Sequence, residues 1–185
     1  MISSKKNRTT PDSLISSLFI SMPMLAAAGE TITYPGNGVP ATINSQPNSL
    51  GPSGSNTGKS TSLSGNSITV DNGGTVGGFV LGAINKTDNN AVTDNRVTVN
   101  SGGTVVMEAY GGLSETSAAV RNNVVIIESG GQVRNVYGGR SDTGDVIANS
   151  VAINGGTVSG IYGGSTFSGD ATGNAVTLSR GTVHG

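Results

Sequence analysis

From Asn66 onward, apolar and polar residues alternate in short runs that return at a nearly constant interval. Five segments share one pattern, an asparagine followed by apolar residues at every second position and then glycine. They read NSITVDNGGTV from Asn66, NRVTVNSGGTV from Asn95, NVVIIESGGQV from Asn123, NSVAINGGTV from Asn149 and NAVTLSRGTV from Asn174. The last two are one residue shorter before the glycine, and in the fifth Arg180 replaces the first glycine. A second landmark follows the first four segments: Val80-Leu81-Gly82-Ala83, Ala109-Tyr110-Gly111-Gly112, Val136-Tyr137-Gly138-Gly139 and Ile161-Tyr162-Gly163-Gly164. Polar stretches such as SDTGDVIAN (Ser141 to Asn149) and STFSGDATGN (Ser165 to Asn174) separate the units and read as loops. A fixed interval of 20–50 residues is the mark of a solenoid.

The period inside each unit is two, as in Val97-x-Val99, Val125-x-Ile127 and Val151-x-Ile153. That is strand spacing, and Val, Ile and Thr suit a pleated, half-buried surface. Glycine pairs stand where the chain must turn or two backbones must approach closely. Each unit therefore predicts two or three short strands and a polar loop, one coil of a parallel β-helix with about 25–29 residues per coil. Such a coil satisfies its edge hydrogen bonds and its apolar face only through the coils above and below it. At ~4.8 Å per strand, five coils predict a rod on the order of 20–25 Å long.

Composition narrows the chemistry. Among 185 residues there are 30 glycines, no cysteine, no tryptophan and a single histidine, and charged residues amount to 11% against roughly 25% in ordinary soluble domains. Without cysteine there is no disulfide, thiolate metal site or cysteine nucleophile. A formal net charge of -1, with no Lys/Arg block after residue 8, argues against nucleic acid as a partner. Hydrophobic residues still reach 34%, and their periodic placement separates this chain from a disordered Gly/Ser/Asn polymer.

The first 28 residues have the order of a secretory signal peptide. Lys5, Lys6 and Arg8 form a basic start, Leu14 to Ala28 are mostly apolar, and Ala26-Ala27-Ala28 supplies small residues for cleavage after Ala28. The apolar run is shorter than the ~20 residues of a membrane-spanning helix. Residues 29–65, rich in Ser, Gly, Pro, Asn and Thr, read as a leader or N-terminal cap, and residues 66–185 as the solenoid repeats. Within the leader, GPSGSNTGKST (Gly51 to Thr61) approaches a phosphate-binding loop. Its glycines are misplaced by one residue, however, and neither the preceding buried strand nor the following helix is present. No nucleotide is expected.

Three columns of equivalent residues are candidates for function. Asn66, Asn95, Asn123, Asn149 and Asn174 predict a stacked amide ladder with a structural role. Leu81, Tyr110, Tyr137 and Tyr162 follow inward residues and should point outward. The three tyrosines could form an exposed aromatic file that stacks on sugars or a partner protein, or an external ladder packed on itself and beneath the loops. Acidic residues recur as Asp145 and Asp170, and as Asp71 and Glu128. Asn100 and Asn154 occupy the intervening positions, so no tight cluster for acid–base chemistry or calcium is expected. His184 reads as a solvated residue rather than a base. No catalytic residue, cofactor or metal ligand is expected.

The chain stops partway through a repeat, at Arg180-Gly181-Thr182-Val183, without a cap. We therefore expect a C-terminally truncated solenoid, a fragment or the start of a larger protein. The leader, the Ser/Gly-rich segment and coils of type N-x-V-x-I-x-x-G-G-T-V-x-x-x-Y-G-G together resemble the passenger region of bacterial autotransporter adhesins. That resemblance implies a right-handed parallel β-helix exported through the periplasm to the cell surface and an outer-membrane barrel following it. It further implies adhesion or aggregation through a host-cell or bacterial surface protein or glycan. The alternative is a secreted polysaccharide-degrading β-helix enzyme, which would need Asp, Arg and Lys clustered on one face of adjacent coils. A secreted β-helix that is never anchored is a third possibility.

Overall fold

The computed structural model describes residues 31–34, 42–43 and 63–184. Residues 1–28, read from the sequence as a signal peptide with cleavage expected after Ala28, and the Gly51 to Thr61 motif lie outside the described residues. Every described element is a strand, and all pairings are parallel. The fold is a β-solenoid.

One coil illustrates the others. Strand β8 (Arg96–Val99) leaves Asn95 and turns through Asn100–Gly103. The chain then enters β9 (Thr104–Ser114), crosses a loop and forms the short β10 (Val120–Arg121) before returning to Asn123. Period two in the sequence becomes alternation in space. Val97 and Val99 are buried, whereas Arg96 is exposed and Thr98 half-buried. Their counterparts β3 (Ser67–Val70), β11 (Val124–Ile127) and the start of β14 (Ser150–Thr166) stack in register, placing Ile68, Val97, Val125 and Val151 in one file. A second file runs through Val70, Val99, Ile127 and Ile153. These residues are at most 1% exposed, and each contributes roughly 1.5–3 kcal/mol by leaving water.

Opposite them, the stretch after the turn supplies Val76, Val105, Val133 and Val158, and then Val80, Ala109 and Val136. Together the two faces enclose the main core. Within the leader, β1 (Thr31–Tyr34) pairs with β3, and β2 (Thr42–Ile43) pairs with β4 (Thr75–Val76). Tyr34 thereby enters the same core.

The polar stretches between units differ from their sequence reading. Their second halves are strands: β7 (Val92–Thr93), β10, β13 (Val146–Ile147) and β15 (Ala171–Thr172) form a separate four-stranded sheet. Each contributes two residues, too few for a periodic pattern to show in the sequence. Val92, Val120 and Val146 stack behind Ala83 as a second, thinner core.

The two kinds of glycine pair do different work. In the first three units the pair after the first strand closes a turn: Gly74, Gly103 and Gly131 donate to the carbonyls of Asp71, Asn100 and Glu128, each at 2.9 Å. Gly73, Gly102 and Gly130 take φ of +78°, +77° and +84°, as the third position of such a turn requires. In the fourth unit, one residue shorter, the turn reduces to a bend inside the continuous β14. The pair after each tyrosine instead marks close approach. A methyl group at Gly112 would lie 2.7 Å from Nδ2 of Asn123 and 2.8 Å from Cγ1 of Val92. The glycine seam is thus pressed between the asparagine column and the second core.

Candidate functional site

The asparagine column is hydrogen-bonded from end to end. Nδ2 of Asn66, Asn95, Asn123 and Asn149 donates to Oδ1 of the next asparagine at 2.7, 2.8, 2.9 and 3.0 Å. Each of these Oδ1 atoms also accepts the preceding asparagine's backbone N–H, at 2.9–3.0 Å. The second Nδ2 hydrogen of Asn95, Asn123, Asn149 and Asn174 goes to the carbonyls of Leu63, Val92, Val120 and Val146. In Asn95, Asn123 and Asn149 every amide donor and both acceptor sites are in use. Nothing is left over with which these residues could hold a ligand.

A second polar column was not visible as such in the sequence. Asn85, Ser114, Ser141 and Thr166 are in register, and each pins the loop that follows it. Asn85 donates to Asp88 and to the Asn90 carbonyl. Ser141 donates to the Thr116 and Ala118 carbonyls and accepts from Gly144 N–H. Thr166 donates to the Gly144 carbonyl and accepts from Gly169 N–H. The available signal was a Ser or Thr two residues after each Tyr-Gly-Gly, a residue type that bonds to nearby backbone.

The tyrosines form a continuous stack. Ring centroids of Tyr110 and Tyr137 lie 4.9 Å apart with 13° between planes, and those of Tyr137 and Tyr162 lie 4.6 Å apart with 7°. Phe79 caps the upper end, tilted at 53° to Tyr110. Exposure is graded along the stack: Tyr110 is 3% exposed, Tyr137 half-buried and Tyr162 46% exposed. Expected to point outward with the others, Tyr110 does lie outside the main core. It is nevertheless covered by a third apolar cluster with Leu81 and Ile84, against which Phe79, Leu113 and Tyr137 pack.

The hydroxyl of Tyr110 donates to Glu108 at 3.1 Å and accepts from Nη1 of Arg140 at 3.4 Å. Burial first, and the Glu108 carboxylate second, push its phenol well above the usual 10.0. Burial, with Tyr162 and Glu108 nearby, raises that of Tyr137 as well. Arg140, which the sequence reading passed over, extends its guanidinium along the stack, 5.9 Å from the Tyr137 centroid and 5.5 Å from that of Phe167. Beside it opens a cavity of about 250 Å³ between the third and fourth coils, reached by Tyr162, Ser165 and Phe167.

The acidic positions alternate with amides, as the sequence register suggests. Asp71 accepts from Nδ2 of Asn100 at 3.3 Å, and Glu128 accepts from Nδ2 of Asn154 at 3.3 Å. Asp145 accepts the backbone N–H of Asp170 at 3.1 Å. Among the described residues no three His, Asp or Glu side chains gather as metal ligands. His184 is exposed, and its backbone N–H donates to the Val158 carbonyl. Among the described residues no helix is long and apolar enough to cross a membrane. Compared with protein families, with curated proteins and with solved structures, the chain gives no match.

Proposed function

We propose that this chain is a surface-displayed, adhesive β-solenoid of the autotransporter-passenger type, exported by residues 1–28 and acting through its lateral surface without a catalytic step. The observation that carries this reading is the repetition of like side chains along one flank, above all the Tyr110–Tyr137–Tyr162 stack. Each coil adds about 4.8 Å to that flank, so a stacked chain presents an extended contact surface. The partner is a protein or glycan of a host or bacterial surface, and in the complete protein an outer-membrane barrel would hold the solenoid there.

The test is display of the chain on non-adherent bacteria by fusion to an outer-membrane barrel. Cells carrying it should settle as aggregates or attach to other cells faster than cells carrying the barrel alone, and the exported chain should begin at Gly29. Equal settling and attachment would overturn the adhesive reading. Release of reducing ends from polysaccharides by the purified chain would replace it with an enzymatic one.

A further inference from the structure

The corner after the first strand of each unit carries a column in which acid and amide alternate. Asp71, Asn100, Glu128 and Asn154 each follow the inward residue that ends the strand, and those inward residues are in register. Nδ2 of Asn100 donates to Asp71 at 3.3 Å, and Nδ2 of Asn154 donates to both carboxylate oxygens of Glu128, each at 3.3 Å. With strands ~4.8 Å apart, the amide between them keeps the carboxylates of Asp71 and Glu128 on the order of 10 Å apart.

Asn154 is followed by glycine, and so is Asn72 at the tip of the first corner; both steps continue identically as Asn-Gly-Gly-Thr-Val. Asparagine before glycine is a chemically fragile step. Glycine has no Cβ to keep its main-chain nitrogen from closing on the side-chain carbonyl carbon. Both asparagines are exposed, but the fold treats the two steps differently. The first lies in a closed turn, where Gly74 N–H donates to the Asp71 carbonyl at 2.9 Å. Its attacking group is engaged, since Gly73 N–H donates to the Gly102 carbonyl of the next coil at 3.3 Å. The Asn72 amide also fills the space that a Cβ on Gly102 would need. The fourth corner is one residue shorter and runs on inside the continuous β14. Its pairing with β16 (Ala175–Val183) shifts register on both sides of Asn154, so no regular ladder fixes the backbone there. Asn154 nevertheless has a coil on either side, with Glu128 as its neighbour in the third and Arg180 in the fifth.

We propose that Asn154–Gly155 is a self-modifying corner, where the asparagine side chain becomes a carboxylate without an enzyme. The Gly155 main-chain nitrogen gives up its proton and attacks Cγ of Asn154, forming a C–N bond. The Cγ–Nδ2 bond breaks, the departing nitrogen takes up the proton, and ammonia leaves behind a five-membered imide. Water then adds to one of the two imide carbonyls and reopens the ring. The product is aspartate or isoaspartate, the latter with a main chain one carbon longer. Water is the only co-reactant, and nothing is oxidised or reduced. Either product removes the Nδ2 donor from Glu128 and sets a second carboxylate one coil away, at ~4.8 Å. Two like charges at that distance repel. Arg180 on the far side is exposed and offsets this little, because a surface ion pair contributes little. The change loosens the joint between the third and fourth coils once and irreversibly. It stands on the fold and does not depend on the adhesive reading.

The test is storage of the purified full chain at body temperature and mildly alkaline pH, with peptide mass mapping and an ammonia assay over time. The peptide holding Asn154 should take on the mass of an acid in place of an amide, as a mixture of aspartate and isoaspartate, several-fold faster than the peptide holding Asn72. In concentrated urea the two steps should convert at similar rates, which assigns the difference to the fold. Asn154→Gln, whose longer side chain closes a larger ring, should abolish conversion at this corner. Asn154→Asp should melt below the wild type, and adding Glu128→Gln, which restores an acid–amide pair in reverse order, should recover most of the loss. The proposal is overturned if residue 154 stays an amide while Asn72 converts, or if aspartate forms without isoaspartate. It is equally overturned if the two steps differ as much in urea as in the folded chain, if Asn154→Asp melts as the wild type does, or if Glu128→Gln recovers nothing.

Discussion

Ala148 has φ of +54°, and it belongs to a column. The residue preceding each asparagine of the ladder is left-handed: Gly65 at +70°, Asp94 at +57°, Asn122 at +58°, Ala148 and Gly173 at +64°. Glycine, Asp and Asn tolerate this region; alanine does not, at a cost of roughly 1–2 kcal/mol. Ala148→Gly should therefore stabilise the protein by about 0.5–1 kcal/mol after the added freedom of glycine in the unfolded chain is offset. Urea melts would show a higher midpoint at unchanged slope, and a lower midpoint would refute the strain. Tyr110 gives a second expectation. Its folded pKa is raised above 10.0, so its contribution to stability is complete below about pH 10 and declines as pH rises further. Melts from about pH 8 to pH 11 should show that loss, and Tyr110→Phe should reduce it, the raised phenols of Tyr34 and Tyr137 accounting for what remains. The asparagine ladder was legible at this scale, because a polar residue recurring on the inward side of five strands must find its partners along the axis. Arg140 was not: a single deviation from the repeat looks like noise until its neighbours are known.

At the scale of elements, the solenoid depends on a seam where side chains must be absent. Gly112, Gly139 and Gly164 cross the Asn123, Asn149 and Asn174 side chains, and a Cβ at any of them would collide with the amide. Gly112→Ala should cost about 2–4 kcal/mol, the usual penalty for overpacking plus disturbance of a buried hydrogen-bonded amide. A substitution at Gly73 meets nothing within 4 Å and leaves only the strain of φ +78°, so Gly73→Ala should cost about 1–2 kcal/mol. Equal losses in the two variants, compared by thermal melting, would show that conformation rather than crowding governs both. The sequence marked both glycine pairs as special but could not tell a turn from a close approach. The distinction lies in which coil crosses which, information that no single coil contains. The two-residue strands β7, β10, β13 and β15 were hidden for a related reason: each is defined by its neighbours in the stack.

For the molecule as a whole, stacking turns five imperfect copies into one structure with three apolar clusters. The main core is uniform, because Ile and Val replace one another there with little change of shape. The flank beside the tyrosines is not uniform in sequence, since the column of Ile84 and Leu113 continues as Arg140 and Ser165.

The repeat interval and the period of two are properties of the chain itself, and with the Val/Ile/Thr content they were enough to establish a parallel β-solenoid and the identity of its inward files. Those features are local and recur five times, so each copy reinforces the others. Tertiary structure alone decided which face of the tyrosine stack is covered, where the polar loops become strands, why the second glycine pair must be glycine, and that Arg140 lies along the tyrosine stack and bonds to the Tyr110 hydroxyl. Each of these depends on contacts between residues roughly one coil apart, set by how coils of unequal length lie on one another. Burial and pairing across that distance are fixed only when the coils are stacked.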